Sequence, residues 1–315
     1  MAEFFGKIQF DWLTRRRLFF GVSMLLLLAG MASILAQGLR YGVDFEAGAI
    51  VYVRFEQPVP IDEIREALRA AGAPDDQVQE LRNAGSGFNV QIRVGQAVVG
   101  EGLGRGRELI TEALNAGYEG QFEIVKAESV SAKVGEDLRQ QAVLATLYAL
   151  GGILVYIAFR FEWIYGVAAV FAVFHDTLIT LGFFSMFQQE INLTVIAALL
   201  TLVGYSVNDT IVVFDRVREN LKISRRMTLL EILNKSINQT LSRTLLTSGL
   251  TLVAALAMFF FGGEVINNFA FALVVGVLIG TYSSVAVAAP MVLIYENYKS
   301  RAKAGLVAAG AARAK

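Results

Sequence analysis

Apolar and polar positions divide the chain into two regimes. Leu18–Ala36 is an unbroken apolar run, about the length that crosses a bilayer at 1.5 Å per residue. From Leu138 onward five further runs follow, over about 138–159, 163–186, 191–214, 244–261 and 268–295. Between them, residues 41–135 switch to short alternating segments. Ala49–Glu56 is β-rich and bounded by Gly48 and Pro58, and Ile61, Ile64 and Leu68 mark one face of a helix that ends at Gly72. Gln77–Arg82 and Gly87–Val94 read as strands joined across Asn83–Ser86. Leu109, Ile110, Ala113 and Leu114 mark a second helix ending at Gly117, and Gly120–Val130 is a last strand. The order predicts a ferredoxin-like β-α-β-β-α-β unit of α+β class. The expectation is a polytopic α-helical membrane protein: one transmembrane helix at 18–37, the soluble domain, then a five-helix region over 138–296.

Residues 1–17 carry Phe4, Phe5, Ile8, Phe10 and Trp12 ahead of Arg15–Arg17, a composition suited to the membrane interface. A signal peptide also begins with basic residues and an apolar run. Here the run exceeds the usual 7–15 residues, and Ile34 sits badly for cleavage after Ala36, which favours a retained anchor.

Composition agrees with this division. Of 315 residues, 55% are hydrophobic and the mean hydropathy is +0.52, with the excess concentrated in the runs. The chain has no cysteine and a single histidine, which excludes a disulfide framework and multi-His or Cys metal centres. Net charge is zero overall, yet residues 41–136 hold 9 Lys and Arg against 16 Asp and Glu, a local net of −7. The compensating positives sit in short segments beside the spans: Arg15–Arg17, Arg160, the 215–243 stretch and the tail at 297–315. The outer turns Phe187–Glu190 and Gly262–Asn267 carry none. The positive-inside rule then puts both termini and a 215–243 loop in the cytoplasm, and the acidic domain outside, in a periplasm or its equivalent.

Ionisable residues inside spans are costly, at about 2.5–3.5 kcal/mol for a central Asp on insertion scales, and mark function by default. Asp209 lies in such a span, with Tyr205 one turn before it and Asn208 beside it. Arg243 opens the following span, in the same third of the bilayer. An Asp with an Arg partner that can leave is a proton switch; the blander readings are an Asp near water and a snorkelling Arg. His175–Asp176 lies deeper in its span. It reads as a second relay station, or, as we favour, a polar pair holding helices together with Thr180 or Ser206. Gly276 and Gly280 form a Gly-x-x-x-Gly packing motif. No phosphate-binding glycine loop or nucleophile elbow points to an enzyme.

The block Gly204-Tyr-Ser-Val-Asn-Asp-Thr-Ile-Val-Val-Phe-Asp-Arg-Val-Arg-Glu-Asn220 resembles the signature of the SecF family, the smaller membrane subunits of SecDF protein-export motors. The link Gly42-Val-Asp44-Phe45-Glu-Ala47-Gly48 resembles the family's Gly-φ-Asp-Phe-x-Gly-Gly motif, with Ala47 replacing the first glycine. For Asp44 itself, a turn or cap role is favoured over chemistry. His175–Asp176, Asn238–Thr247, Phe261–Gly263 and Gly280–Ser284 extend the likeness over nearly the whole chain. The resemblance implies membership of the resistance–nodulation–division superfamily, with SecD as obligate partner and SecYEG, YajC and YidC in the wider assembly. It implies an unfolded polypeptide as substrate, protons as coupling ion with no other cofactor, and a proton path through Asp209 and Arg243. The alternatives are a proton-coupled small-molecule exporter of the same superfamily and a passive assembly factor.

Overall fold

A computed structural model describes residues 10–46, 48–72, 78–81, 88–95, 105–118, 120–160, 163–224 and 226–299. Expectations for Phe4, Phe5, Ile8, Ala47, the Asn83–Ser86 turn, 161–162, Arg225 and the tail from 300 onward fall outside the described residues. So do the ends of the strand expected at Gln77–Arg82.

The chain runs α1 (Arg16–Gln37), β1 (Arg40–Tyr41), α2 (Val43–Glu46), β2 (Gly48–Phe55), α3 (Ile61–Ala70), β3 (Val78–Leu81), β4 (Phe88–Gly95), α4 (Arg105–Tyr118) and β5 (Phe122–Val130). Then follow α5 (Ala132–Arg160), α6 (Trp163–Met186), β6 (Glu190–Ile191), α7 (Leu193–Ile223), α8 (Leu229–Phe261) and α9 (Glu264–Ser283). A π-helical turn at Ser284–Ala288 continues α9, and helix resumes over 289–299. Among the described residues, six helices are long and apolar enough to cross a membrane.

The small unit follows its alternation. Val51, Val53, Phe55, Val90, Ile92 and Val94 point to one face of a four-stranded sheet ordered β3-β4-β2-β5, with every neighbouring pair antiparallel. Ile64 and Leu68 of α3 and Ile110, Ala113 and Leu114 of α4 close over that face as one core. Each fully buried aliphatic side chain there contributes roughly 1.5–3 kcal/mol. The register of β2 on β5 slips between Tyr52 and Val53, a bulge that leaves Val125 without a partner position.

In the bundle, α6, α7 and α9 are the most enclosed spans, whereas α1, α5 and α8 turn most of their apolar surface outward, as lipid-facing helices do. The α1–α6 crossing depends on two glycines: a Cβ added to Gly182 would stand 2.6 Å from the Cα of Gly30. Only helices lacking Cβ atoms can approach so closely.

The 215–243 stretch expected as a cytoplasmic loop is helical over 215–223 and 229–243. The charges that end the hydropathic run do not end the helix, because Arg, Lys, Glu and Leu are good helix formers. Val213, Phe214 and Val217 on α7 continue an apolar face that packs with Ile232, Leu233 and Ile237 on α8. Asn220 Nδ2 donates to Ser236 Oγ at 2.8 Å and to Gln239 Oε1 at 2.9 Å across the hairpin. Thr228 and Glu231 form a capping box that starts α8. The segment just ahead of α1 is anchored too: Trp12 Nε1 donates to Asn238 Oδ1 at 2.9 Å, and Leu13 is fully buried.

Candidate functional site

Three clusters position the residues singled out in the sequence. The first is the link between sheet and bundle. Asp44 Oδ2 accepts the backbone N–H of Leu193 at 2.9 Å, so Asp44 caps the first turn of a helix 149 positions away in sequence. Asn192 caps the same helix from its own segment, accepting from the Val195 N–H at 3.0 Å. Gly42 N–H donates to Ile191 O at 2.8 Å where β1 pairs parallel with β6. A Cβ on Gly42 would meet Asn192 Cβ at 3.1 Å. Phe45 is buried in the cluster of Phe184, Ile191 and Val195. Gly48 enters β2 at φ 146°, a conformation other residues rarely adopt. Arg93 and Arg40 both reach Glu190, the latter at 3.4 Å.

The second cluster centres on Asp176, 5% exposed. Ser206 Oγ of α7 and Ser283 Oγ of α9 donate to its Oδ2 at 2.6 and 2.7 Å, and His175 Nδ1 lies 2.9 Å from Oδ1. One carboxylate thus ties α6, α7 and α9. The hydroxyl of Thr180 goes instead to the Asp176 carbonyl, one turn back in the same helix. His175 Nε2 is buried with no partner among the described residues. A cavity of about 10 Å³, close to one water in size, borders the site. The π-turn begins one residue after Ser283; such wide turns recur where a helix carries function. Gly280 lets α9 come in to Ser206, where a Cβ would stand 3.1 Å from Ser206 Cβ, and Gly276 leaves the space filled by Leu202.

The third cluster centres on Asp209, 3% exposed. Ser248 Oγ of α8 donates to its Oδ2 at 3.1 Å, and the Thr281 hydroxyl of α9 lies 2.8 Å from Ser248 Oγ. Arg243 makes no ion pair with it within 4 Å among the described residues and is exposed, but its charge still acts on Asp209. Helical geometry explains the difference. Thr244 and Ser248, one turn apart, are buried on one face of α8, and Arg243 is about 100° round from it. Asn208 is likewise exposed, on the outside of α7 and not at the carboxylate. Tyr205 Oη and Thr244 Oγ1 are buried and unpartnered among the described residues.

The sequence reading singles out neither Ser248 and Ser283 as carboxylate partners nor Thr281 as the hydroxyl that donates to Ser248. The available signal was a run of hydroxyls at 281, 283 and 284 inside an otherwise apolar helix.

Fold and site define a multi-pass membrane protein with two buried carboxylate networks in its bundle and a small sheet unit tied to one end. Residues 110–298 match the family described as protein export membrane protein SecD/SecF, C-terminal, and residues 32–59 match the SecD/SecF GG motif. The protein translocase subunit SecF of Koribacter versatilis is 39% identical over 94% of each chain. That of Desulfurispirillum indicum is 45% identical over 87% of each. The crystal structure of SecDF from Thermus thermophilus, described as a translocon-associated membrane protein, is 38% identical with a TM-score of 0.80. The match covers 92% of this chain and 39% of that one. The chain belongs to the SecF family of protein translocase subunits.

Proposed function

We propose that this subunit works with SecD to convert the proton-motive force into completion of polypeptide export, without a catalytic reaction of its own. In this reading both termini lie in the cytoplasm of a bacterial inner membrane, and the sheet unit is a ferredoxin-like domain on the periplasmic side. SecYEG, YajC and YidC belong to the wider assembly. The order β-α-β-β-α-β, two helices on one sheet face and strand order β3-β4-β2-β5 support the domain assignment. Protons are the coupling ion, and Asp209 binds them.

The observation that carries the proposal is Asp209 itself: a carboxylate buried in an apolar bundle, held by a single serine, with no cation within ion-pair distance among the described residues. Asn208 and Arg243, exposed on the neighbouring helices α7 and α8, favour a site completed by SecD, since polar groups on a lipid-facing surface are costly. Moving one charge through 100 mV yields about 2.3 kcal/mol. About three protons therefore supply the roughly 5.5 kcal/mol that reverses a two-state equilibrium from 1:99 to 99:1. Asp176 holds three helices together and serves as the packing node around which α9 moves.

The test is export of a secretory precursor into inverted vesicles containing the SecD partner, with and without a proton gradient. Asp209→Asn and Arg243→Met are expected to lose gradient stimulation and keep the ATP-driven stage and complex assembly. Stimulation at the wild-type rate in Asp209→Asn overturns the proposal.

A further inference from the structure

Between the uncovered face of the sheet and the outer ends of α6, α7 and α9 lies a cleft of about 750 Å³, within the size range of ligand sites. Its two walls are tied together at Glu190, which reaches Arg93 on β4 and Arg40 on β1. Amide side chains stand on both walls, Gln91 on the sheet and Gln189 and Asn268 on the bundle. All three are half-buried, and none has a side-chain hydrogen bond among the described residues. Tyr52 adds a flat ring on the sheet side, with Lys126 Nζ 5.9 Å from its centroid. Four basic and three acidic side chains line the rest, so their charges nearly cancel.

This lining selects a ligand class. A cleft for a phosphate or an anionic headgroup would concentrate basic donors, and one for a cation would concentrate carboxylates. Neutral amides carry a carbonyl acceptor and N–H donors, the same pair that a peptide main chain presents once per residue. Three amides without side-chain partners among the described residues, one on the sheet and two on the bundle, therefore offer bonds to a polypeptide's backbone whatever its side chains, provided the chain is extended enough to leave its own N–H and C=O groups unpaired. The geometry points to this cleft as a holding site for an unfolded segment of the exported polypeptide, gripped through its main chain. The inference rests on the protein-export reading and adds where, and by what chemistry, this subunit meets its substrate. Opening or closing of the cleft follows from any rotation of the sheet about the Glu190 tie.

The test places a photoreactive amino acid at Gln91, at Gln189, or at Glu112 on the far side of the sheet, where α4 faces outward. The full chain is assembled with SecD and the export channel, and the probe is a secretory precursor arrested mid-transfer by a folded domain. Crosslinks to the precursor from 91 and 189 but not from 112, lost when the precursor runs to completion, are the expected result. Gln91→Ala, Gln189→Ala and Asn268→Ala combined should weaken capture at Tyr52 on the order of 100-fold, at roughly fivefold per lost hydrogen bond. Equal crosslinking from all three positions, adducts to lipid only, or no adducts would each overturn the holding site. The two readings fail separately. If Asp209→Asn abolishes gradient stimulation and the cleft captures nothing, the export motor stands without this site. Specific cleft crosslinks with undiminished stimulation in Asp209→Asn would retain the holding site and remove the proton role.

Discussion

The carboxylate of Asp44 accepts the backbone N–H of Leu193 at 2.9 Å. This contact joins the segment that leads into the sheet domain to the first turn of α7, the helix that carries Ser206 and Asp209 roughly three and a half to four and a half turns below. A displacement of α7 along its axis is therefore felt at the domain's root.

Replacement of Asp44 by Ala removes an N-terminal cap and should cost about 1 kcal/mol, up to about 2 where the site is partly buried. Asp44→Asn keeps an acceptor oxygen and should recover most of that loss. Thermal unfolding of the purified protein in detergent measures both variants. Equal stability of wild type and Asp44→Ala would show that Asn192 alone caps the helix.

Asp44 also illustrates what a sequence discloses. Its motif suggested a cap or turn, and the structure makes it a cap, but for a helix no local pattern connects to it. Six spans were legible because bilayer crossing demands long apolar runs. The sheet unit was legible because alternation fixes which face is buried. The helical hairpin over 215–243 was not, because hydropathy reports the membrane boundary and says nothing of where backbone hydrogen bonding stops. How far Arg243 stands from Asp209 was not legible for a related reason. Sequence gives depth along the membrane normal, whereas the azimuth of Arg243 on α8 is set by the packing of Thr244 and Ser248.

At Asp176, two serines on different helices share one carboxylate oxygen. Interhelical hydrogen bonds of this kind contribute about 0.6–2 kcal/mol each within a membrane bundle. Asp176→Leu should therefore loosen α9 against α6 and α7 by on the order of 1–4 kcal/mol, read as faster proteolysis and a lower unfolding temperature. Asp176→Asn, whose amide oxygen still accepts from Ser206 and Ser283, should fold normally and retain gradient-stimulated export. Normal folding of Asp176→Asn with loss of gradient stimulation would move Asp176 from the packing node into the proton path.

In the sheet unit, Tyr118 Oη donates to Glu63 Oε2 at 3.0 Å, bridging α4 to α3. Partial burial, with the neighbouring Glu63 adding to it, pushes the Tyr118 phenol up from 10.0 to about 12. A raised phenol favours the protonated, folded form. Its contribution is complete below the ordinary tyrosine value and is lost as pH climbs from about 10 to about 12. Wild type should lose stability through that window more steeply than Tyr118→Phe, as followed by denaturant unfolding at fixed pH values. Parallel pH profiles for the two proteins would show that the Glu63 bond contributes nothing to titration.

If α7 carries proton binding at Asp209 up to the Asp44 cap, the sheet domain moves with it. With no cysteine in the native chain, spin labels can be placed at Glu112→Cys on the sheet unit and Phe187→Cys at the outer end of the bundle, in the complex with SecD. Pulsed electron-spin distance measurements across a pH series then read the domain position directly. Wild type should show two distance populations whose ratio changes with pH, and Asp209→Asn a single acid-like population at every pH. An Asp209→Asn protein that follows pH just as wild type does, or a wild type with one unchanging distance, would contradict that coupling.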